Sequence, residues 1–575
     1  MAKSSIHLRT VGSPNPAPSR FYPGYTLAGF TILRKIGRGA FADVYLAKEL
    51  QLDRLVALKI SRKITQEAQL IAGLEHDHIV TVFSNTVLER ENLCLINMQY
   101  VEGGDLAGIM SDLSGLPKIQ SLSGSDFLKA IDRRTGKTLF DQDSMSQRNI
   151  FSAINLQTIV INLGCDLARA LHFAHEKHIL HLDIKPGNIL VSSNSRAFLS
   201  DFNVALTRSQ LESGASLSLG GTLRYMAPEH RELYETRNPE LIDSIGPQTD
   251  VFSLGKVLQE LLLGTEPDEP LRQVLDCATE DDAANRFKTA LEFSKALAGC
   301  GELFSITARF PQPGLIVHSA RKSPFLALTL WGAIPQLAAV AAALFFNTQI
   351  VFYQLSQQQV QVFSLLNTWF LPFILFVMTA AWLRGLSIAK NNLDESKKMV
   401  RDSSFRLLSK KQVLMTPKLG LWVSGLGWLS CAVIYPLVIG FVAAIPAPIA
   451  LILFLNFVLA WIIATAYSYL LHQKIVLQVL YPMCFWGDSS ITEISSGELA
   501  RIPSKSRFFS LMTGVIPLLS AVLALFNGEL VLGRSQVAYK LFVSGLIGLG
   551  TAGMFFSIPA IETISALVLA FQKKK

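Results

Sequence analysis

After Pro324 the sequence changes character. Six apolar runs, at about 325–347, 362–384, 419–442, 447–471, 508–528 and 539–570, follow one another with few charges inside them. Most hold roughly 20 apolar residues, the length a helix needs to cross a ~30 Å hydrocarbon core. A water-soluble domain would have to wrap six such helices in a polar shell that this sequence lacks. No run of this kind occurs before residue 298. The pattern predicts an all-α transmembrane bundle of about six helices over 324–575. The last run is too long for one crossing and contains Pro559 and Glu562, so it reads as a crossing followed by an interfacial helix.

Charge supports the division. The chain carries 52 Lys+Arg and 44 Asp+Glu, a formal net charge of +8. Residues 321–575 hold 20 basic and 8 acidic residues, a net of +12, so residues 1–320 are at −4. Basicity confined to the apolar half argues against a nucleic-acid partner and for membrane topology. The loop at 384–418 carries nine basic and three acidic residues, whereas 348–361 and 443–446 carry no charge. Alternation of basic and charge-poor loops predicts an integral membrane protein, in the plasma (inner) membrane, with both termini cytoplasmic. Residues 1–25 contain no apolar run suited to a signal peptide, which keeps the N-terminal half on the same side. The six cysteines are scattered without a CxxC, as a reducing compartment allows.

Residues 1–27 are rich in Ser and Pro and read as a disordered arm. From about 28 to 297 the composition is that of a globular α/β domain, and 298–323 reads as a juxtamembrane linker with Pro and Gly breaks. Within the globular part, Gly37-Arg38-Gly39-Ala40-Phe41-Ala42-Asp43-Val44 lies between alternating apolar stretches, the pattern of a strand–turn–strand hairpin whose backbone N–H groups can cover phosphates. Val56-Ala57-Leu58-Lys59-Ile60 places a lysine inside an apolar strand, where it needs an anionic partner. Glu67 begins a helical pattern and is a candidate partner. An amphipathic helix with apolar positions Leu156, Ile159, Val160, Leu163, Leu167, Leu171 and Ala174 precedes His181-Leu182-Asp183-Ile184-Lys185-Pro186-Gly187-Asn188. Asp201-Phe202-Asn203, a GTLRYMAPE stretch ending in Glu229, and DVFSLG beginning at Asp250 follow.

This ordered set resembles the protein-kinase family, and its Ser/Thr branch in particular, over about residues 28–297. The resemblance implies an α+β bilobal kinase fold, with a mostly β N-lobe and a mostly α C-lobe. It implies that Gly37, Gly39 and Val44 cover the ATP phosphates and adenine, with Ala57 beside them. Lys59, paired with Glu67, would grip the α- and β-phosphates. Met98 would be the gatekeeper of the hinge; backbone groups of Gln99 and Val101 would bond adenine, and Asp105 would reach the ribose. Asp183 would accept or orient the substrate hydroxyl proton, Lys185 would neutralise the γ-phosphoryl group, and Asn188 and Asp201 would hold Mg²⁺, with Mn²⁺ as an alternative ion. Lys185 and Thr222 favour Ser/Thr over Tyr specificity. Glu229 with Arg286, and Asp250, match structural positions of the family.

Several positions depart from the family pattern. Ala42 stands at the third loop glycine, Asn203 after Asp201-Phe202, and Leu182 where an arginine usually contacts a phosphorylated activation loop. Only seven residues separate Lys59 from Glu67, which implies a truncated regulatory helix. Residues 108–150 read as an insertion on the surface. His172, His175 and His178 read as a solvated helix end.

The function implied is a membrane-anchored Ser/Thr kinase acting on protein substrates, in contact with membrane lipids and compatible with a homodimer. A nucleotide-binding pseudokinase scaffold and a kinase-regulated transporter are the competing readings. Intramembrane polar residues that bear on transport are Asn367, Asn456 and Glu562.

Overall fold

The computed structural model describes residues 21–38, 42–61, 73–116, 121–135, 142–202, 222–236, 238–398, 403–485, 499–526 and 536–572. The chain divides into two units, Met1–Leu297 and Ala298–Lys575.

The first unit begins with six strands: β1 (Thr26–Leu27), β2 (Phe30–Arg38), β3 (Ala42–Glu49), β4 (Arg54–Ser61), β5 (Val82–Leu88) and β6 (Leu93–Gln99). They form one antiparallel sheet in the order β1-β2-β3-β4-β6-β5. Side chains alternate between faces along a strand. Phe30, Ile32, Tyr45, Ala47, Val56, Leu58, Ile60, Leu93 and Leu95 therefore gather in one core. The residues between them, Ala57 and Lys59 on β4, take the opposite face. Register places Val44 across from Lys59, Ala57 across from Met98, and Lys59 across from Ile96.

Helices build the remainder of this unit: α1 (Leu106–Ser114), α2 (Gly124–Thr135), α3 (Gln142–Ser152), α4 (Leu156–Glu176), α5 (Pro228–Thr236), α6 (Pro247–Leu261) and α7 (Glu269–Ala278). A two-stranded ribbon, β7 (Ile189–Val191) with β8 (Ala197–Leu199), lies between α4 and α5 in sequence. The apolar positions predicted for α4 are all buried. Gly164 on that helix admits α6 closely, since a Cβ there would come within 2.7 Å of Leu258 Cδ1. The described residues of 108–150 are mostly helical, in α1, α2 and α3. Arg148 ties them down: its Nη2 donates to both Asp132 oxygens at 2.7 Å, and its Nη1 donates to the Ser193 carbonyl in the β7–β8 turn.

One buried ion pair locks the far end of the unit. Arg286 is wholly buried and donates five hydrogen bonds: two to the Glu229 carboxylate at 2.7 and 2.9 Å, and three to the carbonyls of Gln248, Glu280 and Asp281. Thr249 Oγ1 donates a further bond to Glu229 Oε1. Burial alone would raise the Glu229 carboxyl, but the Arg286 and Thr249 bonds outweigh it and hold it below its ordinary value.

α8 (Ala290–Thr307) contains the boundary between the units. The second unit continues with α9 (Leu315–Lys322), α10 (Pro324–Gln354), α11 (Gln357–Leu365), α12 (Leu371–Lys398), α13 (Ser403–Val442), α14 (Ala447–Ile475), α15 (Ile502–Phe526) and α16 (Gln536–Gln572). A π-helical turn, Leu366–Phe370, joins α11 to α12, and another, Val476–Leu480, extends α14. Among the described residues, five helical stretches are long and apolar enough to cross a membrane: Pro324–Thr348, Gln357–Asp394, Lys410–Val442, Ala447–Leu480 and Val543–Phe571. Ala447–Leu480 is the central one, with 61% of its most apolar window buried against 17% for Gln357–Asp394.

The fifth run, 508–528, is helical over its described part, in α15. Two sequence expectations change here. The final run is not a crossing plus a separate interfacial helix: α16 continues unbroken through Pro559. Residues 298–323 are also largely helical, in the last turns of α8 and in α9. The intramembrane amides pair internally. Asn456 Nδ2 donates to Asn347 Oδ1 at 3.1 Å, and Tyr435 donates to Asn367 at 2.7 Å. Glu562 is on an exposed face of α16.

Removing one partner of a buried pair strands the other charge, at a cost of about 3–5 kcal/mol. Glu229→Ala therefore lowers the stability of the first unit by about that amount, read as the urea concentration at which its amides lose hydrogen-exchange protection. Arg286→Lys gives no full rescue, because an ammonium cannot reproduce the planar fork. An unchanged midpoint in Glu229→Ala would contradict this role.

Candidate active site

The site is built around a short loop that follows α4. Asp250, wholly buried on α6, accepts three hydrogen bonds there: from His181 N–H at 2.9 Å, from Leu182 N–H at 2.9 Å, and from the His175 ring at 2.8 Å. Leu182 has a φ of +59°, a left-handed conformation that a leucine adopts only under constraint. The two backbone bonds to one carboxylate supply that constraint. Burial raises the Asp250 carboxyl, and the bonds from His175 and His181 overcome it, so the net direction is downward.

Held in this way, the loop presents Asp183. Its Oδ2 accepts from Lys185 Nζ at 2.7 Å and from Asn188 Nδ2 at 2.9 Å. Asn188 Nδ2 also donates to the Asp183 carbonyl at 2.8 Å. Both acceptors fix the orientation of the Asn188 amide and leave its oxygen for another ligand. Asp183 Oδ1 is buried and has no hydrogen-bond partner. An orphaned carboxylate oxygen inside a cleft is the atom for which a substrate hydroxyl is the natural donor.

Opposite stands Asp201, with φ +54°. Its Oδ1 accepts from Lys59 Nζ at 2.8 Å, which joins the sheet to the loop region. Desolvation pushes the Asp201 carboxyl up, while Lys59, His181 and Lys185 draw it down, and the cations win. Phe202 is buried and packs on the His181 ring at 4.5 Å between centroids. His181 in turn bonds the Ser200 carbonyl at 3.0 Å. The aspartate therefore faces Lys59 while the adjacent phenylalanine anchors it from behind. An apolar recess lined by Val80, Val82, Ile96, Met98, Leu199 and Phe202 lies beside Lys59 and Asp201.

The structure thus brings together Lys59, Asp183, Lys185, Asn188 and Asp201, with Gly37, Val44, Ala57 and Met98 on the facing strands. Gly37 pairs with Val44 across the hairpin. Met98 packs against the cluster of Val80, Val101 and Phe198. Gln99 N–H donates to the Thr81 carbonyl at 2.8 Å. Asp105 caps α1, its Oδ1 accepting from Gly108 N–H at 2.7 Å. Gly39, Glu67 and Asn203 lie outside the described residues, as does the proposed short regulatory helix. Two acceptors suit a divalent cation here, the Asn188 amide oxygen and the Asp201 carboxylate, while Asp183 Oδ1 is left for a hydroxyl donor.

Comparison with known proteins agrees with this geometry. Residues 30–291 match the family described as "Protein kinase domain". Residues 30–291 are similar to protein kinase domains. The serine/threonine-protein kinase PknB of Mycobacterium leprae is 27% identical over 263 residues, covering 43% of this chain and 35% of that protein. Human serine/threonine-protein kinase 32B is 25% identical over 322 residues, covering 53% of this chain and 65% of its own length. This chain therefore spans about a third of the PknB relative. The crystal structure of the Mycobacterium tuberculosis PknI kinase domain aligns with a TM-score of 0.32 and 21% identity, covering 48% of this chain and 98% of that one.

One supporting residue of the site differs from its sequence expectation. His175 is not part of a solvated helix end: its side chain is 5% exposed and bonds Asp250. Its position near the C-terminus of α4 hides this, because periodicity within α4 says nothing about what α6 brings opposite. His172 and His178 do not join it. His172 lies 3.6 Å from Glu176, and His178 turns the chain with φ +59°.

Burial lowers the imidazoles of His76, His181 and His230 from their ordinary 6.5. Below that value the unfolded chain binds protons that the folded domain refuses, so stability falls as pH drops. Asp201, Glu229 and Asp250 are also lowered, so their contribution is complete above the ordinary carboxylate values and is lost as pH falls through their folded values. Hydrogen-exchange protection of the catalytic-loop amides should be level near neutrality, decline below about pH 6.5 and decline again below about pH 4. A flat profile between pH 7 and 5 would contradict the burial of neutral imidazoles.

Proposed function

We propose that this chain is a membrane-anchored Ser/Thr protein kinase. In this reading residues 28–297 transfer the γ-phosphoryl group of MgATP to Ser or Thr hydroxyls of protein substrates. The helices of 324–575 hold the enzyme in the plasma (inner) membrane with its kinase domain on the cytoplasmic side. The observation that carries the proposal is the unpartnered, buried Oδ1 of Asp183 beside Lys185, facing the Lys59–Asp201 pair.

ATP supplies the phosphoryl group, and the divalent ion screens its charge. The chain's own residues do the rest by position. Asp183 Oδ1 accepts the hydrogen bond of the incoming hydroxyl and orients its oxygen for attack. Lys185 Nζ, anchored on the other Asp183 oxygen, places positive charge beside the group in transit. Lys59 does the same from the sheet. Asn188 and Asp201 offer oxygen ligands to the ion, and Val44, Ala57 and Met98 form an apolar surface for the base. Fixed charges in a partly dry cleft need no reorganisation as the bond to one oxygen forms and the bond to the other breaks.

A groove of about 550 Å³ supports a polypeptide substrate. It is lined by Met110 and Ser111 of α1, by Pro186 next to Lys185, by Tyr225 and by Glu260. Glu260 accepts from Tyr225 at 2.5 Å and pairs with Arg224 at 3.1 Å, which gives the groove a fixed wall. The net charge of −4 over residues 1–320 supports a protein rather than a nucleic-acid partner.

Asp183→Asn in the full chain should reduce phosphate transfer to protein by about 100-fold or more, the range for loss of a positioned base. Lys59→Met should reduce it comparably. Incorporation of labelled phosphate from ATP, followed by acid hydrolysis, tests both rate and acceptor. Equal incorporation by parent and Asp183→Asn, or binding of nucleotide without turnover, would sink the enzyme reading; phosphotyrosine as the product would sink the Ser/Thr assignment.

A further inference from the structure

The membrane unit contains a residue that nothing in the kinase chemistry uses. His472, on the central helix α14, is 2% exposed. Its ring lies in a slot made by three other helices. From α10, Gly332 leaves room for it: a Cβ there would sit 2.5 Å from Nε2. From α13, Gly420 does the same at Nδ1, where a Cβ would come within 3.3 Å. From α12, Trp382 stacks on the ring, with centroids 4.7 Å apart and planes 10° apart.

The hydrogen bonding assigns the tautomer. Nε2 lies 2.9 Å from the Leu328 carbonyl oxygen on α10. A carbonyl can only accept, so Nε2 carries the hydrogen and Nδ1 carries the lone pair. That Nδ1 is buried without a partner. The bond to Leu328 by itself does not call for histidine, because a glutamine amide would donate equally well. What imidazole adds is a basic nitrogen, aimed at a glycine.

We propose that His472 is a proton-binding site within the membrane unit, with Nδ1 as the atom that takes the proton. The charged side chains on the surrounding helices are mostly cationic. In sequence, α9 has His318, Arg321 and Lys322; α10 has none; α12 has Arg384, Lys390, Asp394, Glu395, Lys397 and Lys398; α13 has Arg406, Lys410, Lys411 and Lys418; α14 has Lys474; α15 has Lys505 and Arg507; α16 has Lys540 and Glu562. Among the described residues, none of these forms an ion pair with His472. Arg384, Lys418 and Lys474 each lie two residues from a member of the slot, which places the site towards a basic end of the bundle. Among the described residues a proton taken up at Nδ1 meets no counter-ion and no acceptor, only the face of Trp382, so its uptake requires the slot to loosen. Protonation therefore acts on the packing of α10, α12 and α13 around α14.

The stacked indole provides the test. All seven tryptophans of the chain lie after residue 330, so intrinsic fluorescence reports on the membrane unit alone. The full chain in lipid nanodiscs is titrated from about pH 8 to about pH 3, through and below the ordinary imidazole range. A charged imidazole against Trp382 should quench it, giving a reversible step of up to about a seventh of the emission. The step should vanish in His472→Gln, which keeps the donor to Leu328, and also in Trp382→Phe, which keeps the histidine. Absence of a step in the parent protein, or its survival in either folded variant, would overturn the proposal. Two variants that alter different partners keep the test decisive if one of them fails to fold.

Discussion

The first unit of this molecule depends on one buried carboxylate. Asp250 accepts the two consecutive N–H groups of His181 and Leu182 and the ring of His175. It thereby connects α6, the end of α4 and the loop that carries Asp183. The loop would not choose this shape unaided, because Leu182 is held at positive φ. A carboxylate can do this only if it stays ionised when buried. The surrounding donors ensure that by outweighing desolvation. From the same point His181 reaches the Ser200 carbonyl and packs on Phe202, so the loop and the Asp201 turn are positioned by a common support.

The membrane half solves the opposite problem. There the environment offers no water to polar groups, so each must be satisfied by a neighbouring helix. Gln336 illustrates this: it accepts from Trp428 at 2.9 Å and donates to Ser424 at 3.0 Å. The Asn347–Asn456 pair does the same elsewhere in the bundle. Such pairs hold helices together and favour an anchoring or sensing bundle over an open path for solutes. Like His472 Nδ1, Trp461 Nε1 and Gln473 Nε2 are buried there without a partner, but the histidine atom is a basic nitrogen.

Much of the site is legible in the amino-acid sequence, and the reason is physical. A lysine in a strand, an Asp-x-Lys in a loop and a Gly-rich hairpin are constrained by the group they serve, and so they recur at readable spacings. Period-2 alternation along β4 already places Ala57 and Lys59 on one face. Contacts made across the chain are less legible. His175 looks solvated until α6 supplies Asp250, and Arg148 looks like a surface residue of an insertion until Asp132 and Ser193 meet it. His472 is hidden within a long apolar run, where averaging masks a single polar side chain. The continuity of the last helix is similarly blurred, since hydropathy alone does not show that α16 passes Pro559 without a break.

The central claim is that Lys59, Asp183, Asn188 and Asp201 form one phosphoryl-transfer site. The most direct test is a cryo-EM map of the full chain with magnesium and a non-hydrolysable ATP analogue. The account predicts phosphate density between Lys59 and Asp183, with metal density between the Asn188 amide oxygen and the Asp201 carboxylate. A triphosphate lying away from Asp201 without metal density, or an empty cleft at saturating analogue, would contradict it.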